Sequence, residues 1–171
     1  CYGRVLAAIC ALPGGRTMGR LKLSVLAAIL VAILTAYLPS LRNGFVNWDD
    51  DRYVTRNPAL ESFSPANIKK ACTTFFIGHY HPATILSFAL ERRFFKADPF
   101  FYHLTNLILH LINASLVFWW IYLLTGNVLV SGITALLFGI HPLQVESVAW
   151  VSERKNVLYG CFFLASMISY V

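Results

Sequence analysis

Charge is the scarcest property of this sequence. Of its 171 residues, 13% are charged and 57% hydrophobic, whereas a soluble domain carries roughly a quarter charged residues. No Asp, Glu, Lys or Arg falls between Leu23 and Leu41, and none between Pro99 and Val145. Cysteine is sparse as well. Cys1, Cys10, Cys72 and Cys161 include no Cys-x-x-Cys and invite no disulfide, which leaves out a cysteine metal centre and a disulfide scaffold. An initial Met is also lacking. Pro13-Gly14-Gly15-Arg16 interrupts the pattern, and Met18-Gly19-Arg20-Leu21-Lys22 reads as a natural start. Residues 1–17 are therefore expected to be a doubtful leader, and 18–171 the body of the chain.

What remains is apolar sequence in lengths that suit a bilayer. A helix rises about 1.5 Å per residue, so about 20 apolar residues span the ~30 Å hydrocarbon core. The expected crossings are 21–41, 99–124, 127–151 and 156–171, the last still apolar at Val171, with an external loop over 42–98. This is an all-α polytopic membrane protein, read as an N-terminal fragment with about four transmembrane helices. A cleaved signal peptide competes for the first run. That run is long for a signal core, and no Ala-x-Ala-type site precedes the polar loop. Arg16, Arg20 and Lys22 place the N-terminus in the cytoplasm by the positive-inside rule. Eight Lys/Arg in the loop, mixed with six acids, pull the other way. The third crossing has only thirteen residues from Val128 to Ile140, about 20 Å of helix. Its pattern must continue through His141-Pro142 to Val151, with a kink or break at Pro142.

The loop is expected to be folded. Ser64-Pro65 is a helix-start signal, and Ala66–Phe76 then mixes apolar and basic residues. Pro82–Phe95 is a second amphipathic segment ending in the basic Arg92-Arg93. The pair could lie in the membrane interface or pack as an ordinary extracytoplasmic helix pair. In the second crossing, His103, Asn106, His110 and Asn113 are spaced three, four and three apart and share a helix face. Interhelical hydrogen bonding is the plainer reading of that stripe, ahead of direct catalysis. No third ligand at metal spacing accompanies the histidines.

The most pointed feature is Asp49-Asp50-Asp51, three carboxylates just past an apolar run. Ionised groups resist desolvation and repel one another there, so the cluster suggests a cation, a proton or a charged substrate. Counting crossings puts Glu146 on the same face of the membrane as Asp49. Glu153-Arg154-Lys155 follows at that face. Arg154 could grip a lipid phosphate with its planar fork, and Lys155 could assist. Interfacial anchoring by snorkelling cations is the alternative. Carboxylates and a cation pair at one interface would serve a transferase with a lipid-phosphate donor.

Several ordered motifs then carry a resemblance. Phe45-Val46-Asn47-Trp48-Asp49-Asp50, Asn57-Pro58, Tyr80-His81-Pro82-x-Thr84, Tyr102-His103-x-x-Asn106-x-x-x-His110 and His141-Pro142-x-x-x-Glu146-x-Val148 resemble the N-terminal membrane region of the transmembrane and tetratricopeptide-repeat O-mannosyltransferases. They look closer still to related bacterial tetratricopeptide-repeat membrane proteins. The likeness covers about Leu21 to Val171. It implies a GT-C-type glycosyltransferase fold, a lipid-phosphate sugar donor and an acidic base in the first external loop. That base maps to Asp49 or Asp50, the second acidic position to Glu146, and the following Arg to Arg154. The family's two aspartates are three here, with Asp51 the expected spectator. The family's repeats have no counterpart in these residues.

The leading expectation is an inverting glycosyltransferase that moves a sugar from a polyprenyl phosphate to an acceptor hydroxyl, at the extracytoplasmic face. The catalytic candidates are Asp49, Asp50 and Glu146. Arg154 and Lys155 are the donor-phosphate candidates, with His103, Asn106 and His110 as a supporting stripe. The alternative is a transporter or lipid-binding membrane subunit that uses the acids for protons or cations. Transporter sites tend to lie at the bilayer midplane, and these acids lie toward one edge. The expected partners are the polyprenyl-phosphate donor, membrane lipids and a protein acceptor, with no nucleic acid. No cofactor is required on this reading, and a divalent cation on the aspartates stays open. The expected location is a multi-pass integral protein of the bacterial inner membrane or the endoplasmic reticulum membrane.

Overall fold

The structure, a computed structural model, describes residues 13–76 and 78–171, with side chains from Met18 onward. The described residues form helices and no strand, apart from an isolated bridge between Phe76 and His79. In chain order the helices are α1 (Pro13–Tyr37), α2 (Pro65–Thr73), α3 (Pro82–Phe95), α4 (Pro99–Thr125), α5 (Val128–Ile140), α6 (Gln144–Ala149) and α7 (Arg154–Tyr170). Short 3₁₀ turns at Leu38–Arg42, Pro58–Leu60 and Val151–Glu153 and a π turn at Asp51–Thr55 join them. Most of the expected leader lies outside the described residues, Cys1 and Cys10 included. Pro13 opens α1 rather than breaking it, since a first-turn residue needs no helical N–H.

Two stretches, Met18–Arg42 and Pro99–Thr125, are long and apolar enough to cross a bilayer. Only 17% of the first is buried inside the protein. Leu21, Leu23, Val31, Leu34 and Leu38 face outward from it. Lipid, not water, suits such a surface, and the chain is a membrane protein. The same helix is also built into the fold. Ile29, Ile33 and Tyr37 are buried in one core with Leu107, Phe118 and Ala135. Small residues let α5 approach α1 closely: a Cβ on Gly139 would lie 2.1 Å from the Ile33 side chain.

The hairpin between α4 and α5 follows from local chemistry. Gly126 takes the left-handed backbone (φ 65°) that ends α4. Asn127 then caps α5, its side chain accepting from the N–H groups of Leu129 at 2.9 Å and Val130 at 3.3 Å. α5 ends at Ile140, two residues ahead of Pro142. His141 is extended (φ −62°, ψ 134°), as the proline ring demands of the residue before it. The apolar pattern expected to carry a helix through to Val151 is therefore divided. α5 is followed by the six-residue α6, an extended Trp150 and a 3₁₀ turn.

The loop folds into a cap with its own core. Tyr53, Val54, Leu60, Ile85 and Phe88 are buried together with Tyr102 of α4 and Val151. Ser64 caps α2, accepting from the Asn67 N–H at 3.3 Å. Arg92 of α3 donates to the carbonyls of Val54 at 2.9 Å and Thr55 at 3.4 Å, which fixes the π turn against the cap.

Candidate functional site

The three aspartates stand in three different environments. Asp50 is fully buried, and both its carboxylate oxygens are engaged. Oδ2 accepts from the Val46 N–H at 2.8 Å, and Oδ1 accepts from the Ser152 N–H at 3.0 Å and from the Ser152 hydroxyl. Asp51 accepts from the Thr55 hydroxyl at 3.0 Å and lies 3.5 Å from Arg56. Asp49 is half-buried, and its side chain opens on a polar groove shared with Asn47, Trp48 and Arg52. The divergence follows from backbone geometry, because successive side chains at the start of a helical turn point about 100° apart.

Asp50 does more than satisfy itself. Its bonds to Ser152 fasten the first loop to the turn just ahead of α7, across about a hundred residues of sequence. That draws Glu153 and Lys155 toward the aspartate turn. The Tyr53 phenol feels carboxylates of both. Burial first, then the carboxylates of Asp49 and Glu153, push its phenol above the ordinary range. Glu153 accepts from Lys155 at 2.5 Å and from the Asn156 amide at 2.7 Å.

The cation pair divides in the same way as the aspartates. Arg154 is fully buried and spends its guanidinium inside the protein. Nη1 donates to Glu91 at 2.6 Å and to Ser87 at 3.3 Å, Nε to Asn106 at 2.8 Å, and Nη2 to the Tyr102 carbonyl at 2.9 Å. Its plane lies 4.4 Å from the Phe88 ring centroid. The fork that sequence spacing offered to a lipid phosphate is taken up by Glu91, Ser87, Asn106 and the Tyr102 carbonyl. Burial pushes the Glu91 carboxyl up, and the charge of Arg154 pulls it back. Lys155 keeps its ammonium partly exposed.

Glu146 sits in the first turn of α6 and is exposed. Among the described residues no hydrogen bond or ion pair joins it to the aspartates. The acid that shares their surroundings is Glu153. The polar stripe of α4 is buried and reaches backbone on neighbouring elements. Asn106 donates to Trp150 at 3.1 Å, His110 Nε2 lies 2.8 Å from the Gly139 carbonyl, and Asn113 donates to Val157 at 2.9 Å. His103 is fully buried, and neither ring nitrogen has a partner among the described residues. No group of three His, Cys, Asp or Glu positioned for a metal occurs among those residues.

Sequence reasoning missed Ser152, Glu91 and Tyr53. Glu91 left a signal, as a lone acid inside an apolar helical segment. Ser152 left none.

The chain is 33% identical over 153 residues to human protein O-mannosyl-transferase TMTC3, a match covering 83% of the chain and 16% of that protein. It is 32% identical over 155 residues to mouse protein O-mannosyl-transferase TMTC1, covering 84% and 16%. To Xenopus laevis protein O-mannosyl-transferase tmtc2 it is 33% identical over 146 residues, covering 81% and 17%. The chain belongs to the TMTC family. It spans about a sixth of the length of these curated relatives. No family model and no solved structure matches it.

Proposed function

We propose that this chain is the N-terminal part of a membrane glycosyltransferase, in which Asp49 is the general base and the Lys155 end of α7 receives a polyprenyl-phosphate sugar donor. Four crossings of a GT-C-type fold, an extracytoplasmic loop cap and a protein hydroxyl as acceptor complete the reading. The observation that carries it is the Asp50–Ser152 clasp, which ties the turn that bears the half-buried Asp49 to the start of α7, where Lys155 is paired with Glu153 and still partly exposed. The names of the relatives add the sugar class, mannose, and the acceptor class, protein.

The chemistry is a single displacement. The acceptor hydroxyl gives its proton to the Asp49 carboxylate while its oxygen bonds to the anomeric carbon. The bond between that carbon and the phosphate oxygen breaks with inversion. The lipid phosphate leaves with the electron pair, its charge met by a cation already in place. Asp50 cannot serve as the base without releasing Ser152, so its part is to position Asp49. A proton-relay transporter would instead hold acids near helix midpoints, and Pro99 to Val145 contains none.

The test is mannose transfer from a polyprenyl-phosphate donor to a peptide by the full-length enzyme. Asp49→Asn should cut turnover by about 10²–10⁴-fold and leave donor binding intact. Asp50→Asn should lower thermal stability as well as activity, because a carboxamide cannot accept all three bonds from Val46 and Ser152. Turnover within about twofold of wild type for Asp49→Asn would remove Asp49 from the mechanism.

A further inference from the structure

The corner between α3 and α4 puts large apolar side chains and cations on one stretch of surface. Leu90 and Phe94 lie one turn apart on the outward side of α3 and are 49% and 67% exposed. Phe95 and Phe100 follow, both 41% exposed, and Phe95 stacks on Phe101 with ring centroids 3.9 Å apart. Arg93 and Lys96 are interleaved with these rings. Both are exposed, and among the described residues neither enters an ion pair. Arg92 has a different task, since it is held by the carbonyls of Val54 and Thr55. Asp98, the acid at the corner, is engaged as the cap of α4 and accepts from the Phe100 N–H at 3.1 Å.

Lys96 is also the only non-glycine residue with positive φ among the described residues (φ 58°, ψ −128°). That backbone suits glycine and costs a residue with a Cβ. Two hydrogen bonds hold it: the Lys96 N–H donates to the Arg92 carbonyl at 3.0 Å, and the Tyr102 hydroxyl donates to the Lys96 carbonyl at 2.9 Å. The fold keeps a lysine where glycine would sit more easily, and what glycine would lose is the cation. The height of the corner follows from α4. Its 27 residues make about 40 Å of helix, against a hydrocarbon core of ~30 Å. Centred in a bilayer, α4 projects about 5 Å at each end. Phe100, in its first turn, then lies at the edge of the hydrocarbon, and Phe94 to Lys96 lie among the headgroups.

We propose that this corner is a docking surface for anionic phospholipid of the bilayer, with Phe94 and Phe95 set among the upper acyl carbons and Arg93 and Lys96 on headgroup phosphates. Phenyl rings flanked by long cationic side chains suit that boundary, where one end of each group is apolar and the other wet. The two sides of α3 then have separate tasks. Ile85 and Phe88 pack into the core of the cap, while Leu90, Arg93 and Phe94 hold the cap down on the membrane. The surface does not depend on the transferase reading, since none of its residues belongs to the candidate site.

The experiment places a bimane fluorophore at Phe94→Cys in the full-length protein, its other cysteines replaced, in phosphatidylcholine vesicles. Brominated phosphatidylcholine should quench it and aqueous iodide should not, which sets position 94 in the lipid. A minor fraction of brominated phosphatidylglycerol should quench more strongly than the same fraction of brominated phosphatidylcholine, because the cations gather it. Lys96→Gly and Arg93→Gln should each reduce that preference about fivefold, the loss expected of one cation at an anionic surface. Lys96→Gly should do so without lowering the melting temperature, since glycine accepts the backbone of Lys96. Quenching by iodide and not by brominated lipid would overturn the proposal. Protection from both quenchers would overturn it in favour of a protein segment covering the corner. A phosphatidylglycerol preference that is absent, or that survives both substitutions, would leave an apolar contact alone and overturn the anionic site.

Discussion

At the scale of single residues, adjacent side chains of the same charge have opposite fates here. Arg154 and Lys155 are neighbours, yet one is walled into the protein and the other stays partly exposed. Removing one member of a buried ion pair leaves the other charge without solvent or partner, a loss of about 3–5 kcal/mol. Glu91→Ala should therefore unfold or strongly destabilise the cap, and Arg154→Ala should do so comparably. Thermal unfolding of the full-length protein in detergent measures both. The double variant with two apolar residues should recover part of the loss, because no uncompensated charge remains. A Glu91→Ala midpoint equal to wild type would mean that the ion pair carries no net weight. Sequence spacing could not separate these two cations, because burial is set by what packs over them. Here that is Phe88 on one side and Tyr102 on the other.

At the scale of elements, α1 and α5 meet through small residues rather than through interlocking large ones. Gly132 and Gly139 stand where a Cβ would press on Val25 and Ile33 respectively. The contact is tight at Gly139, whose carbonyl also faces His110. Gly139→Val would push into Ile33 and shift that carbonyl, at about 1–3 kcal/mol or more for overpacking. Gly126→Val acts differently. The space around Gly126 is open, and its cost comes from the left-handed backbone (φ 65°), which a β-branched side chain resists. Melting curves should then show both variants below wild type. Adding Ile33→Ala should restore stability to Gly139→Val only. Recovery in neither or in both would refute the packing account. One helix span was legible in the sequence to the residue, whereas the expected 127–151 crossing is divided after Ile140. Pro82–Phe95 was expected and found over the same residues, because Pro at its start and polar residues at its end punctuate the chain.

At the scale of the whole molecule, the loop cap and the α6–α7 turn form one end of the bundle, opposite the Gly126 hairpin. The shared core of Tyr53, Phe88, Tyr102 and Val151 joins the cap to the helices there. If the proposed topology of four crossings with a cytoplasmic N-terminus holds, Asn47 and Glu146, both exposed, should be reached by an impermeant thiol reagent from the outer side. Cysteine at Thr125 should be reached from the inner side only. The measurement is labelling of single-cysteine variants of the full-length protein, with Cys72 and Cys161 replaced. Labelling of Asn47→Cys and Glu146→Cys from opposite sides would sink the shared face and the candidate site with it.

Composition and periodicity by themselves determined the class of this protein. Long uncharged runs demand lipid or a protein interior, Pro and Gly positions punctuate the helices, and the motif order marks the family. They also singled out the aspartate turn and the cations ahead of α7. Tertiary structure decided which of those groups is free to act. Asp50 is consumed by Ser152, Arg154 by Glu91, and Glu146 stands apart, while Asp49 is half-buried and Lys155, paired with Glu153, stays partly exposed. The physical reason is that a charge is spent or left free by partners that arrive from distant parts of the chain. Ser152 reaches Asp50 across about a hundred residues, and no local pattern in either segment records that meeting.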